Sequence, residues 1–296
     1  MGVPWREHPA WSEVDTLSEA TGRDVASLLL EADAETLRAT RNAQLAAYAL
    51  SLVVLRATRS GGLCDVAVAA VAGHSLGEYT ALVAADALDP EGGARLVAAR
   101  ADAMQLAADA APGTMAAVLG LDPDLVAQAC DGVDGAWPAN DNAPGQVVIA
   151  GTAAGVEKAG EAAKALGAKR VMPLPVGGAF HSPLMGPAQV GLDSALGQAA
   201  FRPAGVDVIA NVDAGVHRAG WESLLSRQLV SPVRWRESLQ TMAGLGITHF
   251  LELGPGTELS GMVKRTVDRS DRANVAAPQD LDRLSAFLTD LARPTP

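Results

Sequence analysis

Ser75 stands in Gly73-His74-Ser75-Leu76-Gly77-Glu78, a Gly-x-Ser-x-Gly pattern between two stretches of different character. Val66 to Val71 is a short run of small and β-branched residues that reads as a buried strand, and Leu76 to Ala85 has helical composition with no breaker. Strand, glycine-flanked serine and helix, in that order, is the context of a nucleophile elbow. Gly73 and Gly77 lack a Cβ, which lets the chain turn sharply and the helix pack against the strand. Such a turn strains the serine and leaves its Oγ at a helix N-terminus. There the N–H groups of Leu76 and its neighbours point at negative charge developing on a substrate. The same residues could also form an ordinary strand-to-helix turn, so the chemistry depends on what else can reach Ser75.

A serine hydroxyl needs a base, and five histidines are present. His8 lies in the polar N-terminal stretch, His217 in a glycine-rich loop and His249 just before a strand, while His74, inside the elbow, points away if Ser75 points out. His181 follows Pro175-Val176-Gly177-Gly178-Ala179-Phe180, a turn after a strand, and precedes a helix. That places it at the C-terminal edge of a sheet, where open α/β folds collect their sites. A serine and a histidine from two such edges can pair as nucleophile and base. Arg100 falls within Leu96-Val97-Ala98-Ala99-Arg100-Ala101, on a helix expected to pack against the sheet. It is either on the solvated face or a partly buried guanidinium able to grip a carboxylate with two hydrogen bonds.

The elements that must position these residues follow from caps and breakers. A first helix covers roughly 13–21, capped by Ser12 and stopped by Gly22, and a second follows Asp24. Asn42 can cap the apolar helix that ends near Ser60-Gly61-Gly62, and Asp89-Pro90-Glu91 opens a long helix to about Asp109. From there the pattern becomes β-α-β-β-α-β. Its strands are Met115–Leu119, Ala136–Ala139, Gln146–Ala150 and Lys169–Leu174, its helices run from Asp122-Pro123 to Cys130 and from Thr152 to Leu166, and Asp141 to Gly145 form a turn cluster. Beyond Gly177-Gly178 come a helix at 183–198, a buried strand Val206–Val212, helices near 221–229 and 235–244, a strand Thr248–Leu253 and a helix from Thr257. The expected fold is α/β: a hydrolase-like domain of a mostly parallel sheet flanked by helices, from 1–112 and 178–296, with a ferredoxin-like α+β subdomain inserted at 113–177. Arg293 to Pro296 read as a loose tail.

Composition narrows the chemistry further. Of 296 residues 49% are apolar and 19% charged, the profile of a globular protein of one or two domains. A net charge of −11 with 23 Lys and Arg argues against general nucleic-acid binding. Cys64 and Cys130 form neither a disulfide framework nor a metal site, and the histidines lack zinc-helix spacing. The start has no apolar signal-peptide core, and the run Ala43–Leu55 is too short to span a bilayer. The expectation is a cytoplasmic protein without a metal or redox cofactor.

In order along the chain, Gly73-His74-Ser75-Leu76-Gly77-Glu78-Tyr79, Arg100 with Met104-Gln105, Asn140-Asp141-Asn142-Ala143-Pro144-Gly145-Gln146-Val147-Val148, Gly178-Ala179-Phe180-His181-Ser182, Arg227-Gln228-Leu229 with Pro232-Val233-Arg234-Trp235, and Gly254-Pro255-Gly256 resemble the malonyl-CoA:acyl carrier protein transacylase family. The resemblance covers nearly the whole chain. It implies that Ser75 is acylated, that His181 is base and then acid, and that Arg100 holds the free carboxylate of the malonyl group. It also implies that the main-chain carbonyl of Gln228 orients His181, that the Leu76 N–H is an oxyanion donor, and that Phe180 leaves little room for an α-methyl branch. Met104 and Asn142 fall at matching positions and join the expected substrate-binding set. Malonyl-CoA and an acyl carrier protein are the expected substrate and partner, with no cofactor, and the expected state is a monomer.

The resemblance stops at the start of the chain. The family opens with an apolar strand and a Gly-Gln-Gly-x-Gln loop that gives a second oxyanion donor, whereas this chain opens at Met1-Gly2, about where that loop has ended. A true start upstream is the expectation, since losing one such donor costs about 10²–10³ in rate. Related readings are the acyltransferase of a malonate decarboxylase or of a polyketide pathway. Readings of another class are a serine thioesterase or hydrolase, against which no Asp or Glu stands out as a third triad member, and a carrier-docking module without turnover. Carrier proteins are usually acidic, and Lys164, Lys169, Arg170, Lys264 and Arg265 are candidates for a local basic patch.

Overall fold

The computed structural model describes residues 1–62 and 66–291; Cys64 and the tail expected at Arg293–Pro296 lie outside the described residues. Helices come first. α1 (Ser12–Thr21) stops where Gly22 takes a left-handed φ of 65°, and α2 (Val25–Leu30) is capped by Asp24, which accepts from the Ser27 N–H. α3 (Thr40–Ser60) is the apolar helix, buried over most of its length. Two caps differ from the sequence reading. Ser12 is already the first residue of α1 and its hydroxyl donates to the Pro9 carbonyl; Asn42 sits inside α3 and donates back to the Thr36 carbonyl. The Thr40 N–H is satisfied instead by the side-chain oxygen of Gln105, a tertiary partner invisible to local pattern.

β1 (Ala70–Ala72) is shorter than the expected strand and runs through the elbow into α4 (Gly77–Ala84). α5 (Pro90–Ala110) starts where the Asp89 carboxylate accepts from the Gly92 N–H. Then come β2 (Thr114–Leu119), α6 (Pro123–Cys130), β3 (Ala136–Ala143), β4 (Gln146–Gly151), α7 (Ala153–Ala165) and β5 (Arg170–Pro173). The four strands form an antiparallel sheet in the order β3-β4-β2-β5. One face carries Ala116, Val118, Val147 and Ile149 against α6 and α7, and the other packs Met115, Val148 and Ala150 on Ala179. β3 corrects the expected turn cluster: Asp141 and Ala143 remain paired to β4 across two register shifts, so only Pro144-Gly145 make the turn. The two shifts leave Ala139 and Asn142 without a partner in the β4 register.

The chain continues through α8 (Gly186–Leu196), β6 (Asp207–Ile209), β7 (Val216–His217), α9 (Trp221–Val230) and α10 (Trp235–Gly244). It closes with β8 (His249–Leu253), α11 (Glu258–Thr266), β9 (Asp271–Val275) and α12 (Asp280–Leu291). β6 lies parallel to β1 and β7 antiparallel to β6. The β1–β6 pair is covered on both faces: Val208 enters the large core with α3, α5 and α8, while Ile209 packs with Trp235, Leu239 and Met262 on the other side. The α/β character is as expected. The parallel pairing of the described residues is split, however, with β8 and β9 in a sheet of their own. His217, read as loop, is in β7, and His249 is the first residue of β8. The antiparallel sheet is tied to the chain before α10. The Asp141 N–H donates to the Val233 carbonyl (2.9 Å), the Val233 N–H to the Ala139 carbonyl (2.8 Å), and Arg236 grips Asp141 through Nε and NH2.

Candidate active site

The elbow follows β1 directly. A Cβ on Gly73 would lie 1.9 Å from the Gly77 carbonyl oxygen, so no other residue fits there without breaking the turn. Gly77 differs from the sequence reading: a Cβ there meets nothing within 4 Å, and the second glycine of the pattern is not sterically required. Ser75 has φ +51°, a left-handed conformation that costs about 1–3 kcal/mol in a non-glycine residue. Asn211, just past β6, holds it there. Its side-chain oxygen accepts from the Ser75 N–H (2.6 Å) and its amide nitrogen donates to the Gly73 carbonyl (2.7 Å). The Leu76 N–H has no backbone acceptor among the described residues, leaving a donor at the start of α4 for an anionic oxygen.

His181 reaches the serine from the turn before α8, with Oγ and Nε2 2.7 Å apart. Its Nδ1 is 2.9 Å from the Gln228 carbonyl oxygen. A carbonyl only accepts, so Nδ1 carries the proton and Nε2 presents its lone pair to Ser75. His181 also has a left-handed backbone, φ +56°, and is only 4% exposed. Burial, then the neighbouring Arg100 guanidinium, depresses its pKa to about 3, keeping the ring neutral.

Arg100 on α5 resolves the alternative left by the sequence: it is 1% exposed. NH2 donates to Ser75 Oγ (3.2 Å) and to the side-chain oxygen of Gln228 (3.1 Å), and NH1 donates to Gln44 on α3. Tyr79 presents its ring 5.7 Å from the guanidinium carbon. The Nε–H has no acceptor among the described residues, and none of the arginine's hydrogen bonds goes to a carboxylate. Burial lowers its pKa, an effect opposed by Tyr79 and Glu78. A buried cation that close to a nucleophile and held only by amides and a hydroxyl can take an anionic group of a substrate.

Of the remaining candidates, Met104 is buried and its sulfur accepts from the Gln44 amide (3.2 Å), so it meets Arg100 through Gln44. Asn142 accepts from His74 Nε2 (2.8 Å), and His74 stands edge-on to Trp235. Neither Asn142 nor His74 hydrogen-bonds to Ser75. Phe180 is partly buried and lies over Gly178, where a Cβ would come 2.7 Å from its ring. Sequence reasoning missed Asn211, Gln44 and Glu78. Asn211 could have been found as a polar residue just beyond a buried strand at the sheet's C-terminal edge. Gln44 and Glu78 are polar side chains buried within apolar helices, a signal that no local motif ranks.

A strained elbow serine, a histidine whose tautomer is fixed by a carbonyl, and a buried arginine beside them on an α/β scaffold define an enzyme of acyl transfer through serine. Comparison narrows the class. The acyl transferase domain family matches residues 8–292. The malonyl CoA-acyl carrier protein transacylase of Bacillus subtilis (strain 168) is 42% identical over 274 residues, covering 90% of this chain and 86% of its own. Among solved structures, an acyl-carrier-protein S-malonyltransferase from Burkholderia pseudomallei 1710b superposes with TM-score 0.90 at 40% identity, over 95% of this chain and 93% of that one. A type II PKS acyl-carrier protein in complex with its malonyl-transacylase gives TM-score 0.91 at 35% identity, over 98% and 94%. The chain belongs to the malonyl-CoA:acyl carrier protein transacylase family.

Proposed function

We propose that this chain moves a malonyl group from coenzyme A to the phosphopantetheine thiol of an acyl carrier protein, in fatty-acid or polyketide synthesis, through malonyl-Ser75. Ser75 Oγ attacks the thioester carbonyl while its proton passes to His181 Nε2. The O–C bond forms, the C–S bond breaks, and His181 returns the proton to the departing coenzyme A sulfur. The carrier thiol then reverses the sequence. The Leu76 N–H bonds the transient oxyanion, and the Gln228 carbonyl stabilises the imidazolium in place of a carboxylate. That neutral partner also weighs against a triad hydrolase. The reaction as written needs no metal or redox cofactor. Among the described residues no helix is long and apolar enough to cross a membrane.

The observation that carries this reading is Arg100, a buried guanidinium 3.2 Å from Ser75 Oγ with no carboxylate bonded to it. A malonyl carboxylate seated there holds the carbonyl over the nucleophile. Arg100→Ala is expected to lower malonyl loading of the serine by about 10–10² while acetyl loading changes little, the worth of one or two charge-assisted hydrogen bonds. Intact-mass spectrometry after mixing with malonyl-CoA or acetyl-CoA, followed by a chase with carrier protein, reads both halves. Equal losses for the two acyl groups would rule out this role for Arg100.

The basic residues fall together at one end of the antiparallel sheet. Arg170 pairs with Leu119, Leu119 pairs with Gln146, and Arg265 donates to the Gln146 side chain (2.5 Å). Two strand spacings, about 10 Å, separate Arg170 from that contact. Lys169, which packs its stem over Gly120, and Lys264 are exposed beside them. Lys164 is exposed in the last turn of α7. The cluster suits an acidic carrier helix. Arg170→Glu with Arg265→Glu is expected to raise the carrier KM about tenfold at low salt, with the difference shrinking as salt screens it. A carrier KM that does not respond to the double reversal would place docking elsewhere.

A further inference from the structure

We infer that Glu78 is a positioning residue for acyl selection: it fixes the side-chain amide of Gln228 in the one orientation that keeps Arg100 beside Ser75. The inference rests on the reading of Arg100 given above. Glu78 is 1% exposed in the first turn of α4, directly behind the elbow. Its Oε2 accepts from Gln228 Nε2 (2.8 Å) on α9 and from the Asn211 N–H (3.2 Å) beyond β6. These two residues hold the rest of the site. Gln228 Nε2 also donates to the Ser75 carbonyl (2.9 Å), while Gln228 Oε1 accepts from Arg100 NH2.

The amide could otherwise sit two ways. Turned over, it would set its NH2 against the guanidinium and its oxygen against two other oxygens, those of Ser75 and Glu78. The Ser75 carbonyl alone is a weak reason to prefer the observed orientation, because it already accepts from the Glu78 N–H (3.2 Å). The side chain of Glu78 supplies the second acceptor, and through it the polarity that Arg100 reads. Oε1 of Glu78 has no hydrogen-bond partner among the described residues. A proton on that atom therefore leaves both bonds to Oε2 intact, and burial raises the pKa to about 7, so the protonated form is populated near neutrality. What the site needs from Glu78 is one acceptor oxygen, and a glutamine can supply it.

Glu78→Leu removes that oxygen at similar size, and Glu78→Gln keeps it. Serine acylation by malonyl-CoA and by acetyl-CoA is followed by rapid-quench mass spectrometry on both variants and the unaltered protein. With Glu78→Leu the ratio of malonyl to acetyl acylation should fall at least about tenfold, as one charge-assisted contact of Arg100 is lost or misdirected, and Glu78→Gln should restore the ratio to within about threefold. General loosening of the fold would lower both rates together, so an unchanged ratio in Glu78→Leu overturns the inference. So does a Glu78→Gln protein whose ratio is as low as that of Glu78→Leu. Should Glu78→Leu not fold, Glu78→Gln still decides: a tenfold loss of the ratio in that variant overturns the acceptor role, and retention supports it. An unaltered protein with no preference for malonyl would instead overturn the reading of Arg100, a distinguishable result.

Discussion

Ser75→Ala is expected to abolish the malonyl adduct and to lower transfer to carrier protein by about 10⁴ or more, the scale on which removing the nucleophile acts in serine enzymes. The variant should fold. Asn211 holds the elbow through the Ser75 main-chain N–H and the Gly73 carbonyl, neither of which the substitution touches. Alanine tolerates φ +51° no better than serine, so the existing strain is retained. Intact mass after incubation with malonyl-CoA is the measurement. A malonyl increment persisting on the Ser75→Ala protein would place the nucleophile elsewhere. Binding of malonyl-CoA should survive, because Arg100 keeps its bonds to Gln44 and Gln228 when it loses the one to the hydroxyl.

His181→Ala is expected to slow serine acylation by about 10²–10⁴, the usual contribution of a positioned base. Its pH behaviour gives a sharper test. Burial and Arg100 hold the His181 pKa near 3, so in the free enzyme the base is neutral through the physiological range. The acid limb of kcat/KM from His181 therefore lies well below 6.5. A carboxylate on Arg100 offsets the positive charge that opposes the imidazolium, so the ring is a stronger base with malonyl bound than with acetyl. The acid limb of single-turnover acylation should thus stand at higher pH for malonyl than for acetyl. Coincident limbs would separate Arg100 from the base. The sign for folding is the same in direction: unfolded histidine binds a proton near 6.5 and the folded one only near 3, so stability falls as pH drops through that window. His181→Gln should flatten that part of the stability curve.

Much of this site was legible because its chemistry sits in sequence-local devices. The elbow is a strand, a tight turn and a helix in one short segment, and steric crowding at Gly73 makes that pattern hard to reach by chance. Asp24, Asp89, Asp122 and Thr152 cap helices through bonds spanning a few residues, which is why those boundaries were readable. Contacts that join distant segments were not. Asn42 has a capping residue's chemistry, yet Gln105 from α5 satisfies Thr40, and the strand reach of Asp141–Ala143 is set by pairing with β4 and by Val233. The depth of Arg100 depended on which face of α5 meets α3 and α8, and an alanine-rich helix leaves that undecided. Asn211 was overlooked for the same reason, acting on Ser75 across 136 residues. Glu78 stands beside the elbow, but the partners that give it a role, Asn211 and Gln228, lie 133 and 150 residues further on.

The wiring of the site also has a consequence for biosynthesis of the protein. Ser75 and His181 are 106 residues apart, and Gln228 reaches back to Ser75 across 153. At roughly 5–20 residues per second, a ribosome exposes the elbow several seconds to tens of seconds before its base, and longer still before the carbonyl that orients that base. During that interval the nascent chain has a serine with nothing to take its proton and an arginine with one amide partner missing. On the proposed mechanism, a chain that ends before His181 lacks the base, and one that ends before Gln228 lacks the carbonyl that orients it.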